Sequence, residues 1–162
     1  MQDFIAWLAS SGFADFMRTW RWAWPLSEIF HFVGMSVLFG SVLVMDMRLL
    51  GFFRRQISLQ AVHSLTPWAI LGFTLNLLSG CAFLIRDAAN YVDNAAFQFK
   101  MACVLLAGIN LLIFWVFIRK PIERMPADAD VGAGTKLVGI VSLCAWIGVI
   151  WGGRLISVFG NG

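Results

Sequence analysis

The chain has 162 residues, of which 60% are hydrophobic and only 13% are charged, against roughly 25% charged in soluble domains. Its mean hydropathy of +0.80 and net charge of +3 exclude an ordinary soluble domain. The basic residues do not form an aromatic-interleaved stripe of the kind that single-stranded nucleic acid needs, so nucleic-acid binding is not expected.

Residues 1–24 carry apolar side chains at a partly helical spacing, with acidic residues between them. The apolar run is too short to cross a bilayer, so we expect an interfacial amphipathic helix in this N-terminal segment. Trp20, Trp22 and Trp24 then mark the headgroup level, where amphipathic rings collect. The opening lacks the basic start of a signal peptide, so we expect the segment to be retained.

Four stretches without a charged residue follow, at 29–45, 68–85, 101–118 and 137–153. With modest extension, each is long enough to cross the roughly 30 Å apolar core of a lipid bilayer as a helix. The sequence therefore predicts an all-α polytopic membrane protein, an antiparallel four-helix transmembrane bundle over residues 25–160. Its spans are expected at about 26–50, 67–86, 97–118 and 136–157.

The connections between the spans are short. Asp46 and Arg48 are expected at the inner end of span one, and residues 119–136, with their prolines, glycines and alternating charge, indicate a solvated loop. Small or polar residues recur at helical spacing on spans two and three. Asn76 and Asn110 are expected to hydrogen-bond across the bundle, with contact to a quinone or another ligand as the alternative.

Basic residues are distributed unequally between the two sides of the four-span arrangement, with seven on one side and five on the other. The seven are Arg48, Arg54, Arg55, Arg119, Lys120, Arg124 and Lys136. The positive-inside rule assigns that side to the cytoplasm. We therefore expect a multi-pass protein of a bacterial inner membrane with both termini extracytoplasmic.

His31 is the most informative side chain in the spans, because ionisable groups in lipid are costly. Helical rise predicts that Lys100 and Arg154 lie at the same level of the bilayer, with Arg86 at the end of span two. Glu28 precedes His31 by three residues and shares its helix face. The sequence thus predicts one layer of five titratable groups near the outer membrane face.

A neutral imidazole in a helical bundle is the usual ligand of haem iron, and haem propionates at the membrane edge need cations. On this interpretation His31 binds haem b, with Lys100, Arg154 and Arg86 as its cationic partners. The protein would then pass electrons between a quinone pool and a redox partner. Whether it is an enzyme stays open, since no Ser-His-Asp set, phosphate-binding glycine loop or paired catalytic carboxylates are found.

The second axial ligand is not evident from the sequence. His63 lies about 20 Å from His31 along the membrane normal and is expected at the opposite interface. The iron would be five-coordinate, or would take Met35 or Met101, or would be shared with a partner chain or a second copy. Because thioether and imidazole ligands also select copper, His31, Met35 and Met101 indicate copper handling as an alternative.

Two structural interpretations also remain. In one, His31 hydrogen-bonds Glu28, a backbone carbonyl or a facing polar residue, while Lys100 extends its ammonium to the surface. In the other, the protein is a non-catalytic membrane anchor or assembly subunit, whose small-residue helix faces contact a protein partner or form a homo-oligomer.

Several segments carry a resemblance: His31-Phe-Val-Gly34, Asp46-Met-Arg-Leu-Leu-Gly51, Leu65-Thr-Pro-Trp-Ala69 and Asn94-Ala-Ala-Phe-Gln-Phe-Lys-Met101. They resemble a family of small bacterial four-span membrane proteins without an assigned activity. More distantly, the early histidine followed by a glycine, with a lysine opening span three, is similar to copper-resistance D-type membrane domains and to the four-helix membrane protoporphyrinogen oxidases, which bind haem.

The distant resemblance implies that His31 is the haem-associated histidine and that Lys100 is the matching lysine. The oxidases place a histidine close before that lysine, where this chain has Phe97, Gln98 and Phe99. The resemblance therefore implies haem binding rather than porphyrin oxidation.

Overall fold

A computed structural model describes residues 2–159, with side chains described from residue 6 onward except that of Ala89. Within that range the chain forms helices and their connections. The α-helices are α1 (Gln2–Ala9), α2 (Gly12–Thr19), α3 (Ala23–Leu49), α4 (Leu59–His63), α5 (Thr66–Arg86), α6 (Ala88–Val92), α7 (Ala95–Ile113), α8 (Arg119–Glu123) and α9 (Ala133–Phe159). A π-helical turn, Phe114–Ile118, joins α7 to α8.

Four segments are long and apolar enough to cross a membrane, which confirms the predicted all-α fold. They are Ala23–Leu49, Leu59–Arg86, Ala95–Glu123 and Ala133–Phe159. The first begins three residues earlier than expected, with Pro25 in its first turn, where a missing backbone N–H costs nothing. Large apolar side chains on the outer faces are exposed, among them Phe32 and Leu112, as expected where lipid is the solvent.

The four spans form two closely packed antiparallel pairs. In the first pair, α3 crosses α5 at Gly34 and Gly72: a Cβ added to Gly72 would lie 2.5 Å from the backbone nitrogen of Leu38. In the second pair, α7 packs along α9, and α3 also contacts α9. Contacts between α5 and α7 are few or none, so the bundle is open along that side.

One end of the bundle, called here the Arg48 end, is closed by the loops. Arg48 is fully buried, and its Nε donates a hydrogen bond to the carbonyl of Ile57 at 2.7 Å. Its Nη2 donates to the carbonyls of Ala127 and Ala129 at 3.0 and 3.2 Å. Val131 is buried in an apolar cluster of the same loop region. Most residues of the loop at 119–136 are exposed, as expected of a solvated loop, and the Arg48 guanidinium fastens part of it to the bundle.

The N-terminal segment divides into α1 and α2. Ser11 ends the first helix and caps the second, accepting a hydrogen bond from the Ala14 N–H at 3.2 Å. The second helix packs against α5, where Met17 and Ala82 are buried with Ala23. The position of this N-terminal segment at a membrane interface stays a prediction.

The end of the bundle opposite to Arg48, where α2 packs, is called here the His31 end.

Candidate functional site

His31 on α3 is held by a serine on the neighbouring helix α5. The His31 Nδ1 and Ser79 Oγ atoms are 2.8 Å apart. The single Ser79 hydroxyl proton is directed to the Leu75 carbonyl of its own helix, at 2.6 Å. Ser79 Oγ therefore accepts the hydrogen bond from His31 Nδ1–H, which assigns the Nδ1–H tautomer and leaves the Nε2 lone pair available.

Aromatic rings cover one side of the imidazole. The Phe83 ring centroid lies 5.2 Å from that of His31, and Trp24 lies 4.8 Å from Phe83. The Arg86 guanidinium lies over the Trp24 ring at 4.2 Å, so this cation is already engaged in a cation–π contact. The structure thus brings three side chains of α3 and α5 into one row behind His31.

Lys100 reaches the same layer from α7. Its stem packs on the backbone of α9, because a Cβ added to Gly152 would lie 3.0 Å from the Lys100 Cβ. The structure places Lys100 within electrostatic range of His31. Arg154 is exposed and forms no ion pair within residues 2–159. Glu28 is not the hydrogen-bond partner of His31; Ser79 takes that position.

The predicted metal ligands other than His31 are less well placed. Met35 lies one helical turn beyond His31 on the same helix, and its role as a ligand stays a prediction. Met101 is 47% exposed on α7. No group of three or more His, Cys, Asp or Glu side chains that could hold a metal ion occurs in the described part of the chain. The roles of His31, Lys100, Arg86 and Arg154 in binding a cofactor stay predictions.

His63 lies at the Arg48 end, as predicted. Its Nε2 is 4.0 Å from a carboxylate oxygen of Glu123, and the same oxygen accepts a hydrogen bond from Arg119 Nε at 2.8 Å. His63 is therefore part of a peripheral charged group and is separated from His31 by most of the length of the bundle.

A cavity that the sequence analysis did not predict lies between the spans, nearer the Arg48 end. It encloses about 270 Å³ and is lined by side chains of α3, α5, α7 and α9, most of them apolar. Its polar side chains include Asp46, Asn110 and Ser142. Asp46 is only 5% exposed, and its Oδ2 has no hydrogen-bond partner. Ser142 lies beside the carboxyl group and lines the same cavity.

The two asparagines have different partners. The Asn110 Nδ2 donates to the Val138 carbonyl of α9 at 3.1 Å, which confirms the expected bond across the bundle. The Asn76 Nδ2 instead donates to the Gly72 carbonyl of its own helix at 3.0 Å, so the same expectation is wrong for Asn76. The close α3–α5 crossing at Gly34 leaves this side chain packed against α3 rather than bonded to it.

Residues 4–159 match the model of a family of unknown function, DUF6644. The chain belongs to this family. No curated protein and no solved structure matches it. Membership agrees with the resemblance to small membrane proteins without an assigned activity.

The position of Asp46 in this DUF6644 chain had a signal in the sequence. Leu38, Val42 and Leu49 recur at helical spacing with Asp46, and all four line the cavity. Asp46 therefore continues an inward-facing stripe, where a carboxyl group is unusual. The expected position of Asp46 at the inner end of span one gives its level along the helix but not the face on which it lies.

Proposed function

We propose that this DUF6644 protein is an integral membrane haem b protein of electron transport, in which His31 supplies the iron ligand. The observation that supports this proposal is the hydrogen bond from His31 Nδ1–H to Ser79 Oγ. Histidines that bind metals almost always donate their other ring N–H to an acceptor, which fixes the tautomer and the ring orientation. His31 has this arrangement, with Nε2 left as the ligand atom.

The surrounding side chains would hold the group. Phe83 packs against the His31 ring, which limits rotation of the ring and excludes water from that side. Lys100 is the cation whose charge acts on His31, so it is the first candidate to pair with a propionate. Arg86 would do so from above the Trp24 ring, and Arg154 from the exposed end of α9. Haem supplies a one-electron couple for exchange with a quinone pool and a redox partner.

The proposal includes an orientation in a bacterial inner membrane. The Arg48 end carries the larger set of basic residues, which favours its assignment to the cytoplasm. On that assignment both termini and the His31 end lie outside the cytoplasm. Any further side chain that holds the haem would come from Met35, from Met101, from a partner chain or from a second copy.

The test is a visible spectrum of the protein purified in mild detergent from cells supplied with a haem precursor. We expect a Soret band, and an α band after reduction with dithionite, with iron bound in proportion to the chain. His31→Ala should lose these bands while the bundle stays folded. His63→Ala, which removes the other histidine at the opposite end, should keep them.

Ser79 offers a finer variant with a matched control. Ser79→Ala should weaken haem retention and shift the reduced spectrum, because His31 Nδ1–H loses its acceptor. Ser36→Ala removes a serine of the same kind, whose hydroxyl bonds the Phe32 carbonyl of its own helix, and should leave the spectrum unchanged. Ser79 is a positioning residue on this proposal.

Three outcomes would contradict the proposal. A full haem spectrum in His31→Ala would remove His31 from the role of ligand. A colourless protein that carries copper in proportion to the chain would favour copper handling. A colourless, metal-free protein that co-purifies with stoichiometric partner chains would favour an anchor or assembly subunit.

A further inference from the structure

We propose that the cavity containing Asp46 binds a lipid-soluble molecule with a hydroxyl head and an apolar body, and that the Asp46 carboxyl group accepts the hydrogen bond of that hydroxyl. This site lies apart from His31, and the inference does not rest on haem binding. It assigns a ligand class to the buried Asp46 carboxyl group.

The unpartnered oxygen of Asp46 is the first observation. The side chain is 95% buried, and its Oδ2 has no hydrogen-bond partner. Arg48 forms no ion pair with it in the described chain: the Arg48 Nε and Nη2 donate to loop carbonyls, and its Nη1 has no partner. A buried polar atom without a partner is costly and calls for an explanation. A ligand that donates a hydrogen bond to Asp46 Oδ2 supplies that explanation.

The other polar groups of the cavity also favour a ligand whose head group donates a hydrogen bond. The Asn110 Nδ2 is engaged with the Val138 carbonyl, so this donor is already used. Ser142 lies beside the Asp46 carboxyl group. The cavity thus presents a free acceptor oxygen in an otherwise mostly apolar lining. A hydroxyl group satisfies it, whereas a head made only of carbonyl or ether oxygens does not.

The size of the cavity limits the body of the ligand. An apolar cavity of about 150 Å³ is enough for benzene, and this one encloses about 270 Å³. The space fits one substituted ring, or a short chain of comparable volume. A longer tail would have to leave through an opening.

Such an opening lies between α5 and α7, which have few or no contacts with each other. Ile70, Leu111 and Trp115 line the cavity and yet are 60%, 55% and 48% exposed. Gly108 also lines the cavity, and an added Cβ there would meet no atom within 4 Å. The route leads to the side of the bundle, where the surroundings are lipid. An uncharged hydroxyl can arrive from there, whereas an ammonium is held at the headgroup level.

The π-helical turn Phe114–Ile118 supports a functional role for the same place. Phe114 and Trp115 belong to this turn and line the cavity. Single π-helical turns inside α-helices occur frequently at functional sites. Here the turn lies at the inner rim, where α7 leads into the Arg48 end.

The test uses the full chain in lipid nanodiscs and three simple probes. These are para-hexylphenol, its methyl ether para-hexylanisole, and hexylamine. Binding is followed by calorimetry and by the rise in unfolding temperature with probe concentration. We expect saturable binding of the phenol, with binding of the ether and of the amine at least about tenfold weaker, the size of one lost hydrogen bond.

Two variants locate the site, and one controls for the change in the helix. Asp46→Asn, which replaces an acceptor oxygen with a donor, should weaken phenol binding about tenfold. Gly108→Leu should abolish it by filling the cavity. Gly40→Leu is the matched control, because an added Cβ at Gly40 also meets no atom within 4 Å and Gly40 does not line the cavity. It should bind like the parent chain.

Gly108→Leu keeps the test decisive if Asp46→Asn fails to fold. Equal binding of phenol and ether, tighter binding of the amine, or unchanged binding in Gly108→Leu would overturn the proposal. So would the absence of saturable binding by every probe, which would leave water as the occupant. His31→Ala should bind the phenol normally, so failure of the haem proposal is distinguished from failure of this one.

Discussion

The Arg48 end and the His31 end both hold a cationic side chain and a polar side chain inside a mostly apolar bundle, but they differ in what those groups bond. At the Arg48 end, the guanidinium donates to three backbone carbonyls of two loops. At the His31 end, one ring nitrogen is fixed by Ser79 and the other has no partner in the described chain. A buried charge is therefore not itself a sign of a site: the Arg48 Nε and Nη2 hold the loops, and only its Nη1 has no partner.

Asp46 and Arg48 show the same contrast within one turn of α3. At 100° per residue, two positions along a helix point about 200° apart. Arg48 consequently faces the loops, whose carbonyls it binds, while Asp46 faces the cavity and keeps an unpartnered oxygen. The Arg48 guanidinium is used to hold the loops, whereas the Asp46 carboxyl oxygen is available to a ligand.

The largest effect that would test this comparison is expected from Arg48→Ala. The change removes three hydrogen bonds from a charged donor and leaves the carbonyls of Ile57, Ala127 and Ala129 without it, at a cost on the order of 3 kcal/mol or more. We expect a clear fall in unfolding temperature and rapid proteolysis in the loops 50–58 and 124–132. Arg48→Lys should be intermediate, because an ammonium cannot span the same three acceptors. An unfolding temperature equal to that of the parent chain would show that the Arg48 end is not fastened in this way.

A smaller loss of stability is expected from Gly72→Ala, which would disturb the crossing on which the His31 end depends. The added Cβ would lie 2.5 Å from the Leu38 nitrogen and 2.7 Å from the Gly34 carbonyl oxygen. Both are backbone atoms, so α3 and α5 must separate, at a cost of about 1–3 kcal/mol. The separation should also lengthen the bond between His31 and Ser79.

The measurement for Gly72→Ala is the unfolding temperature in detergent, with Gly40→Ala as the control. An added Cβ at Gly40 meets nothing within 4 Å, and the exchange of glycine for alanine in an open helical position is stabilising. Similar behaviour of the two variants would mean that α3 and α5 do not cross closely at Gly72.

The smallest effect is expected at Asp130, in the loop of the Arg48 end. Lys136 donates a hydrogen bond to its carboxylate at 2.9 Å, and Arg54 lies at 3.5 Å. The Lys136 bond lowers the pKa of Asp130 below its ordinary value. A lowered carboxyl pKa in the folded state gives stability that is present at neutral pH and is lost as the pH falls through that lowered pKa.

Asp130→Asn should therefore lower the unfolding temperature slightly at pH 7 and not at all below the lowered pKa. The pair is exposed, so its contribution is small and should shrink further in high salt. Unfolding scans of both proteins at neutral and acidic pH, each at two salt concentrations, measure this. A difference in unfolding temperature that grows as the pH falls would contradict the stabilising role assigned to the Asp130 carboxylate.

The sequence was most informative where composition alone decides the outcome. The four spans could be predicted because a charge-free run of about 18 residues has few stable forms other than a helix in lipid. The approach of Lys100 to His31 could be predicted from helical rise along antiparallel spans. The Ser79 bond could not, because helical rise gives the level of a residue and not the direction in which its helix is rotated.

The chain by itself thus determined that the protein is a membrane bundle, which residues are at each end, and that His31 lies inside. Only the tertiary structure decided the partners: Ser79 for His31, loop carbonyls for Arg48, and an open cavity for Asp46. The physical reason is that hydropathy and helical period are local properties, whereas the rotation of each helix is set by close crossings such as Gly34 with Gly72. Those crossings decide which polar groups are satisfied and which are left for a ligand.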